Sequence, residues 1–403
     1  MKVLVAHNFY QQPGGEDQVF DAEVALLRRF GHDARRFVMH NDAVDGMGRI
    51  ALVRATIWNR RTYRDLREQV RTERPDVVHF HNTFPLISPA AYSAARAGGA
   101  AVVQTLHNFR LLCPGALLYR DGKVCEECIG RTVPWPGVAH KCYRHSAPAS
   151  ATVAVSLTVH RAVGTFDNAV DLYIAPTESA RRKFVQGGLP ENKIFVKPNF
   201  VDPDPGPGEG NGGYAVFVAR LSHEKGLHTL LSAWEKLGAR VPLKIIGDGP
   251  LAGEVAAAAE RFEHIEWRGH QPLADVYDII GRAKFCIFPS ECYETFGRVV
   301  VEAFSKGTPV IASRLGAMAD LVDHGRTGLL FNPGNAEDLA AQVRRLLNNP
   351  AVLDSMRREA RAEYVSKYTG EANHRQLMKL YDLALRQANV PSEPTEEKIA
   401  IGA

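Results

Sequence analysis

Two carboxylates bracket the stretch with the clearest chemistry, Pro289-Ser290-Glu291-Cys292-Tyr293-Glu294-Thr295-Phe296-Gly297-Arg298-Val299-Val300-Val301-Glu302. An apolar, strand-like run ends at Pro289, a polar loop follows, and a helical pattern opens near Gly297. The first N–H groups of a helix lack partners inside it and lie at the positive end of its dipole, so they favour an anion. Gly297 has no Cβ and leaves room for close approach, and Thr295, Phe296 and Arg298 frame the same turn. Physically this is a seat for a diphosphate. Glu294 stands just before the helix and Glu302 more than one turn inside it. Each can accept hydrogen bonds from hydroxyls, one on either side of the phosphates, which suits a nucleotide sugar. Taken alone, the two glutamates also fit a solvated helix face.

Three further elements each follow a strand-like run. Arg220 and Lys225, in Ala219-Arg220-Leu221-Ser222-His223-Glu224-Lys225-Gly226, add positive charge where a diphosphate would leave. Gly247-Asp248-Gly249-Pro250 is a tight turn, and Gly269-His270 could meet a base through backbone groups. In the first half, Gly14 and Gly15 follow the first strand and let backbone N–H groups approach a phosphate or sugar. The alternative is a plain strand-to-helix turn. His107 ends another strand, and its alternative is a capped loop histidine. Period-2 alternation points His79 and His81 to one face, with His81 nearer the strand end. Glu16, Asp17, His81 and Asn108 are candidates for the acceptor side. No Asp-x-Asp metal motif stands in a fitting position, so no catalytic metal is expected.

These residues must be held by strands. Near-continuous apolar runs occur at 2–7, 34–38, 76–80, 101–106, 171–175 and 194–197, then at 214–219, 242–247, 284–289, 309–312 and 328–331. Helical patterns separate them, which indicates parallel strands buried on both faces. Two such series predict an α/β fold of two Rossmann-like, doubly wound domains facing each other across a cleft. Residues 1–198 would form the first and 199–369 the second. A helix at 370–390 and a flexible tail at 391–403 complete the division. The Pro/Gly-rich segment 202–213 can hold neither helix nor central strand.

Composition narrows the setting. Of the 403 residues, 45% are hydrophobic and 23% charged, which excludes a disordered or fibrous chain. No run approaches the roughly 20 apolar residues needed to span a bilayer. The N-terminus lacks a secretory h-region, so a cytoplasmic location is the default expectation. Residues 1–198 carry 26 Lys and Arg against 18 Asp and Glu; residues 199–403 carry 23 against 27. Eight arginines between Arg49 and Arg74, set among Ile50, Leu52, Val53, Ile57 and Trp58, add to the basic half. Together they point to transient contact with an anionic membrane surface, peripheral to its inner face. Nucleic acid is not expected, because no recognition motif accompanies the charge. Cys113, Cys125, Cys128 and Cys142 fall in an aperiodic insert at about 111–148. Four thiolates around a structural zinc would order it; unpaired structural cysteines or a redox pair are the rival readings.

The second half resembles the nucleotide-sugar domain of glycosyltransferase family 4, retaining enzymes of the GT-B fold. The resemblance rests on Ala219-Arg220-Leu221 to Lys225-Gly226, Gly247-Asp248-Gly249-Pro250, Pro289-Ser290, Glu294-x7-Glu302 and Gly307-Thr308-Pro309. In the first half it covers Pro13-Gly14-Gly15, Asp76 to Asn82, Thr105-Leu106-His107-Asn108 and Lys197 to Asp202. Gly14-Gly15-Glu16-Asp17 with His107-Asn108-Phe109-Arg110 is similar to a bacterial subgroup with a Cys-rich insert. The resemblance implies that Arg220 and Lys225 bind the diphosphate of a UDP- or GDP-linked donor. It also implies that Glu294 binds donor-sugar hydroxyls, Glu302 the ribose, and that His107 contacts the donor sugar and supports the departing phosphate. His107, Glu294, Arg220 and Lys225 are thus the catalytic candidates. Gly14, Gly15, Gly247, Gly249, Gly269, Thr295, Phe296, Gly297, Arg298 and Glu302 are the donor-binding ones. The implied activity is retaining hexosyl transfer by front-face substitution to a glycan or glycolipid acceptor in envelope polysaccharide assembly. An epimerase, a phosphorylase or an inactive nucleotide-sugar-binding subunit could use the same fold.

Overall fold

Apolar runs flanked by helical patterns become parallel strands when helices can cover both faces of the sheet. The computed structural model describes residues 1–12 and 14–388; Pro13 and the expected tail at 391–403 lie outside them. Strands β1 (Lys2–Phe9), β2 (Asp33–His40), β3 (Val77–Asn82), β4 (Ala101–Thr105), β7 (Leu172–Ala175) and β8 (Ile194–Val196) form the first sheet, ordered β2-β1-β3-β4-β7-β8. A separate hairpin pairs β5 (Tyr119–Arg120) with β6 (Lys123–Val124). The second sheet holds β9 (Ala215–Val218), β10 (Leu243–Ile246), β11 (Ile265–Trp267), β12 (Phe285–Phe288), β13 (Val310–Ser313) and β14 (Gly328–Phe331), ordered β11-β10-β9-β12-β13-β14. Every pairing in both large sheets is parallel.

Strand order reverses between β1 and β3 in the first sheet and between β9 and β12 in the second. Helices leave on opposite faces at such a point, and a crevice opens at the carboxyl ends of the strands. The loops that emerge there carry Gly14 and Gly15 after β1, Arg220 and Lys225 after β9, and Glu294 after β12.

Two peptide segments cross between the domains, and they lie side by side. Val201 donates its N–H to the carbonyl of Tyr368, and Tyr364 Oη donates to the carbonyl of Val201. The Pro/Gly segment forms no helix or strand, yet it is ordered. Gly208 and Gly210 donate to the carbonyls of Lys306 and Gly281, laying the segment along the second domain. The helix Gly370–Ala388 returns to the first domain, where Leu377, Tyr381 and Ala384 are buried with Val3, Val5, Val103 and Leu172. Some helices fall outside the alternation of strand and helix read from the sequence, Arg49–Ile57 and Ala147–Ala162 among them. The second is built from Ala, Val, Ser and Thr with little contrast between its faces, so its pattern carries a weak periodic signal.

The returning helix closes one face of the first sheet. Leu377→Ala, which removes a fully buried side chain, is expected to cost about 2–5 kcal/mol. Urea unfolding of the full chain should show the loss in the first-domain transition, with the second-domain transition unchanged.

Candidate active site

On the second domain, the site is built by loops that lock onto one another. Glu291 N–H donates to the carbonyl of Glu224, and Ser290 Oγ lies 3.1 Å from the same oxygen, joining the loop after β12 to the loop after β9. This places Lys225 Nζ 2.6 Å from Glu294 Oε1, while Ser290 Oγ donates to the same oxygen at 2.7 Å. Burial alone would lower the Lys225 pKa, but the Glu294 carboxylate beside it raises it instead. The result is a fixed cation and a carboxylate with one oxygen left open. Arg220 is exposed and pairs with no carboxylate among the described residues. Gly247 sits at φ +134°, and a Cβ there would stand 1.9 Å from the carbonyl oxygen of Ala219. Its N–H donates to the carbonyl of Gly269, so the turns carrying Gly247, Gly249 and Gly269 form one rim.

Gly297 caps the helix Arg298–Ser305 without a side-chain partner, leaving its first N–H groups open. The reason for glycine differs from the sequence reading. A Cβ on Gly297 would lie 2.3 Å from Met318 Cε, so the missing side chain makes room for Met318. Glu302 is turned inward, 4% exposed, with Arg298 Nε 2.9 Å from its Oε1. Burial pushes the Glu302 carboxyl up, and Arg298 opposes this. Thr295 and Phe296 are buried in the loop between Glu294 and the helix.

On the first domain, one buried carboxylate organises the site. Glu23, in the helix Gly15–Arg29, is fully buried. Its Oε2 lies 3.1 Å from Lys197 Nζ, and its Oε1 lies 2.9 Å from His79 Nδ1 and 3.1 Å from His81 Nε2. Burial would raise its pKa, but Lys197 and the two imidazoles hold it well below the usual carboxylate range. An ionised carboxylate only accepts hydrogen bonds. His81 Nε2 therefore carries a proton, and His81 Nδ1 accepts. The 2.9 Å contact between His81 Nδ1 and His107 Nε2 then requires the proton on His107 Nε2. His107 Nδ1 is left as a lone pair with no protein partner among the described residues. Burial depresses the His81 pKa to about 4, and burial with the nearby His81 and His7 depresses His107 well below its usual value. Both rings are neutral at pH 7.

The acceptor-side candidates divide. Glu16 accepts from Asn108 Nδ2 at 2.6 Å and from Tyr10 Oη at 3.1 Å, and burial raises its pKa. Asp17 faces inward: its Oδ1 meets His7 Nε2 at 2.7 Å and its Oδ2 accepts the Gly14 N–H at 2.7 Å. It caps the helix rather than facing an acceptor. His81, 2% exposed, lies behind His107 instead of in the cleft. Glu23, Asn373 and Tyr381 were missed by the sequence reading, and Lys197 stood there within a matched stretch but without a role. The Lys197–Glu23 contact joins residues far apart in the chain, and Tyr381 reaches His79 from the returning helix; only the fold brings them together.

The two halves of the site touch. Thr295 Oγ1 donates to the carbonyl of His107 at 2.6 Å, and Thr177 Oγ1 donates to the carbonyl of Thr295. The His107 loop and the Glu294 loop thus line one cleft. Among the described residues, Glu23, His79 and His81 are the group whose metal-binding atoms all lie within 4.8 Å of one another. Lys197 already occupies the second oxygen of Glu23. Cys113, Cys125, Cys128 and Cys142 are free thiols in one lobe, and no three of their sulfurs meet that spacing. Burial and the neighbouring cysteines push the Cys128 thiol up to about 12.

The chain matches two family models, Glycosyltransferase Family 4 over residues 14–205 and Glycosyl transferases group 1 over residues 212–349. Each matched stretch is similar to its family, and the two follow one another along the chain. Glycogen synthase of Mycobacterium tuberculosis is 31% identical over 159 residues, 38% of this chain and 38% of that protein. The 2-deoxystreptamine N-acetyl-D-glucosaminyltransferase of Niallia circulans is 30% identical over 172 residues, 41% of this chain and 44% of its own. The matches thus span less than half the length of these relatives. Among solved structures, Anabaena Alr3699/HepE in complex with UDP superposes with a TM-score of 0.69 at 18% identity, over 95% of this chain and 100% of that one. Sucrose-phosphate synthase from Thermosynechococcus elongatus gives 0.69 at 16%, over 95% and 98%. The likeness at these identities is one of fold, and the fold of this chain is GT-B.

Two outcomes follow from the site's geometry. Neutral buried histidines bind fewer protons than the unfolded chain does, so stability is full above about pH 6.5 and falls as pH drops towards 4. For His81, with its pKa depressed to about 4, lowering the pH from 7.5 to 5 should cost roughly 2 kcal/mol in the urea unfolding of the first domain. His81→Gln should flatten that slope. Gly247→Ala should destabilise the second domain by more than about 1 kcal/mol. A melting temperature equal to that of the parent chain would contradict this.

Proposed function

We propose that the chain transfers a hexose from a nucleotide diphosphate sugar to a glycan or glycolipid acceptor, with retention of configuration. The contact between the His107 loop and the Glu294 loop carries this reading. It brings a neutral, lone-pair-bearing imidazole and a fixed Lys225–Glu294 pair to one cleft. A uridine diphosphate donor is supported by Anabaena HepE, solved with UDP and with UDP-glucose.

In this reading the diphosphate lies against Arg220, Lys225 and the open N–H groups after Gly297, where developing negative charge is stabilised without reorganisation. The open oxygen of Glu294 accepts from sugar hydroxyls and fixes the ring. His107 Nδ1 accepts from a donor-sugar hydroxyl; with no proton on that atom it does not donate to the departing phosphate, contrary to what the resemblance implied. Gly14 and Gly15 border the same space; nothing lies within 4 Å of where a Gly15 Cβ would stand. As the bond from the anomeric carbon to the phosphate oxygen breaks, the acceptor oxygen bonds the same face of that carbon. The acceptor proton passes to the leaving phosphate oxygen. Glu16, held by Tyr10 and Asn108, orients the acceptor hydroxyl. The protein contributes mainly positioning and electrostatics, and the transfer step needs no divalent ion.

Thermal shift with UDP-, GDP- and ADP-glucose, with and without EDTA, tests the donor site. A ligand at a hundred times its Kd stabilises the folded chain by about 2.7 kcal/mol. One nucleotide family should raise the melting temperature, EDTA should leave the shift intact, and Lys225→Ala should abolish it. No shift with any donor would contradict the assignment. Release of a free sugar isomer without an acceptor, or a requirement for inorganic phosphate, would show an epimerase or a phosphorylase instead.

A further inference from the structure

The exposed face centred on the helix Ala147–Ala162 combines apolar side chains with unbalanced positive charge. Val155, Val159 and Val163 recur down its outer side and are 48%, 40% and 65% exposed. The inner side is buried through Val153, Ala154 and Leu157. On one flank lies the helix Arg49–Ile57, tied by Ser156 Oγ to the carbonyl of Thr56 and by His160 Nε2 to the carbonyl of Ile57. It adds Ile50, 71% exposed, and Trp58, 40% exposed. On the other flank lies the segment around Thr132, whose carbonyl accepts from Arg161 Nη1 at 3.3 Å, and it adds Trp135, 56% exposed. Among the described residues, no helix is long and apolar enough to cross a membrane.

The charge on this face is predominantly positive, and acids border it: Asp45 and Asp167 flank its segments, and Glu127 lies 3.5 Å from His140. Residues 46–64 and 128–166, which supply it, contain nine Lys and Arg and no Asp or Glu. Asp65 lies 3.6 and 3.4 Å from Arg61 and Arg64 and offsets that edge. Arg49, Arg54, Arg60, Lys141 and Arg144 form no ion pair among the described residues. Exposed Trp and Val beside unpaired cations suit insertion at the headgroup level of an anionic bilayer, where indole rings and aliphatic side chains bury and cations meet phosphate.

We infer that this face docks the chain on an anionic membrane surface. The face ends at the cleft. The Arg110 guanidinium, three residues past His107, lies over the rings of Phe84 and Tyr143 at 4.6 and 4.8 Å. Tyr143 N–H donates to Ser150 Oγ in the first turn of the central helix. A membrane-held acceptor would thus reach the acceptor side without leaving the lipid surface. That consequence rests on the transferase reading above; the docking itself does not.

Vesicle co-sedimentation of the purified full chain, without nucleotide, tests the docking. Vesicles of phosphatidylcholine alone are compared with vesicles containing phosphatidylglycerol. The chain should bind the anionic vesicles, bind the neutral ones weakly, and lose binding as salt rises. Each cation removed near an anionic surface weakens partition roughly fivefold, so Arg54→Glu with Arg60→Glu should weaken it at least about tenfold. Trp135→Ser with Val159→Ser, which removes only exposed apolar side chains, should also weaken it at least about tenfold. A melting temperature without ligand equal to that of the parent chain in both double variants shows that they remain folded, a control that holds whether or not any donor binds. Absence of binding to anionic vesicles at low salt overturns the inference. So does binding that neither double variant alters. Binding lost with the charge variant alone, and competed equally by single-stranded DNA, overturns it in favour of a general polyanion surface.

Discussion

The carboxylate of Glu23 is the constraint on which the first domain's site depends. It is fully buried, and an unpaired charge there would cost several kcal/mol. Lys197, His79 and His81 compensate it, and they come from two separate strands of the sheet. Lys197 follows the last strand of the sheet, the two histidines sit on β3, and the helix carrying Glu23 follows β1. Tyr381 and Asn373 extend the network onto the returning helix. A single charge thus ties together two strands that are not neighbours in the sheet, a helix and the crossover. Its chemical consequence appears at the far end of the chain of hydrogen bonds, where His107 presents a lone pair rather than a proton.

The second domain meets its requirement differently. Its cation and carboxylate are neighbours across two loops, Lys225 and Glu294, and backbone contacts from Glu224 to Glu291 hold those loops together. Glycine lets the surrounding turns pass within contact distance of one another. The reversal of strand order in each sheet places both devices at facing carboxyl edges. The hydrogen bond from Thr295 to the carbonyl of His107 joins them.

Much of this was legible in the chain before its structure. Short apolar runs of parallel-strand character announce both sheets, because a strand covered on both faces has no polar side to confuse the pattern. Residues that act from loops directly after strands, such as Lys225, Glu294 and His107, stand out for the same reason. The hidden parts are those whose meaning is set at long range. Glu23 reads as one acid on an amphipathic helix, and nothing local marks Lys197 as its partner. Asp17 next to two glycines resembles an exposed polar loop, yet His7 draws it inward. Gly297 looks like an anion seat, and Met318, on a different helix, supplies another reason for glycine. The helix Ala147–Ala162 escaped notice because its exposed side is nearly as apolar as its buried one, the same property that marks it as a docking face.

The central claim is that His107 and the Lys225–Glu294 pair grip one nucleotide sugar from opposite domains. Calorimetric titration of the parent chain and of His107→Ala with UDP and with UDP-glucose tests it most directly. The account predicts that the variant binds UDP as the parent does and loses the added affinity for the sugar. Equal affinities of parent and variant for UDP-glucose, or an equal loss for both ligands, would contradict it.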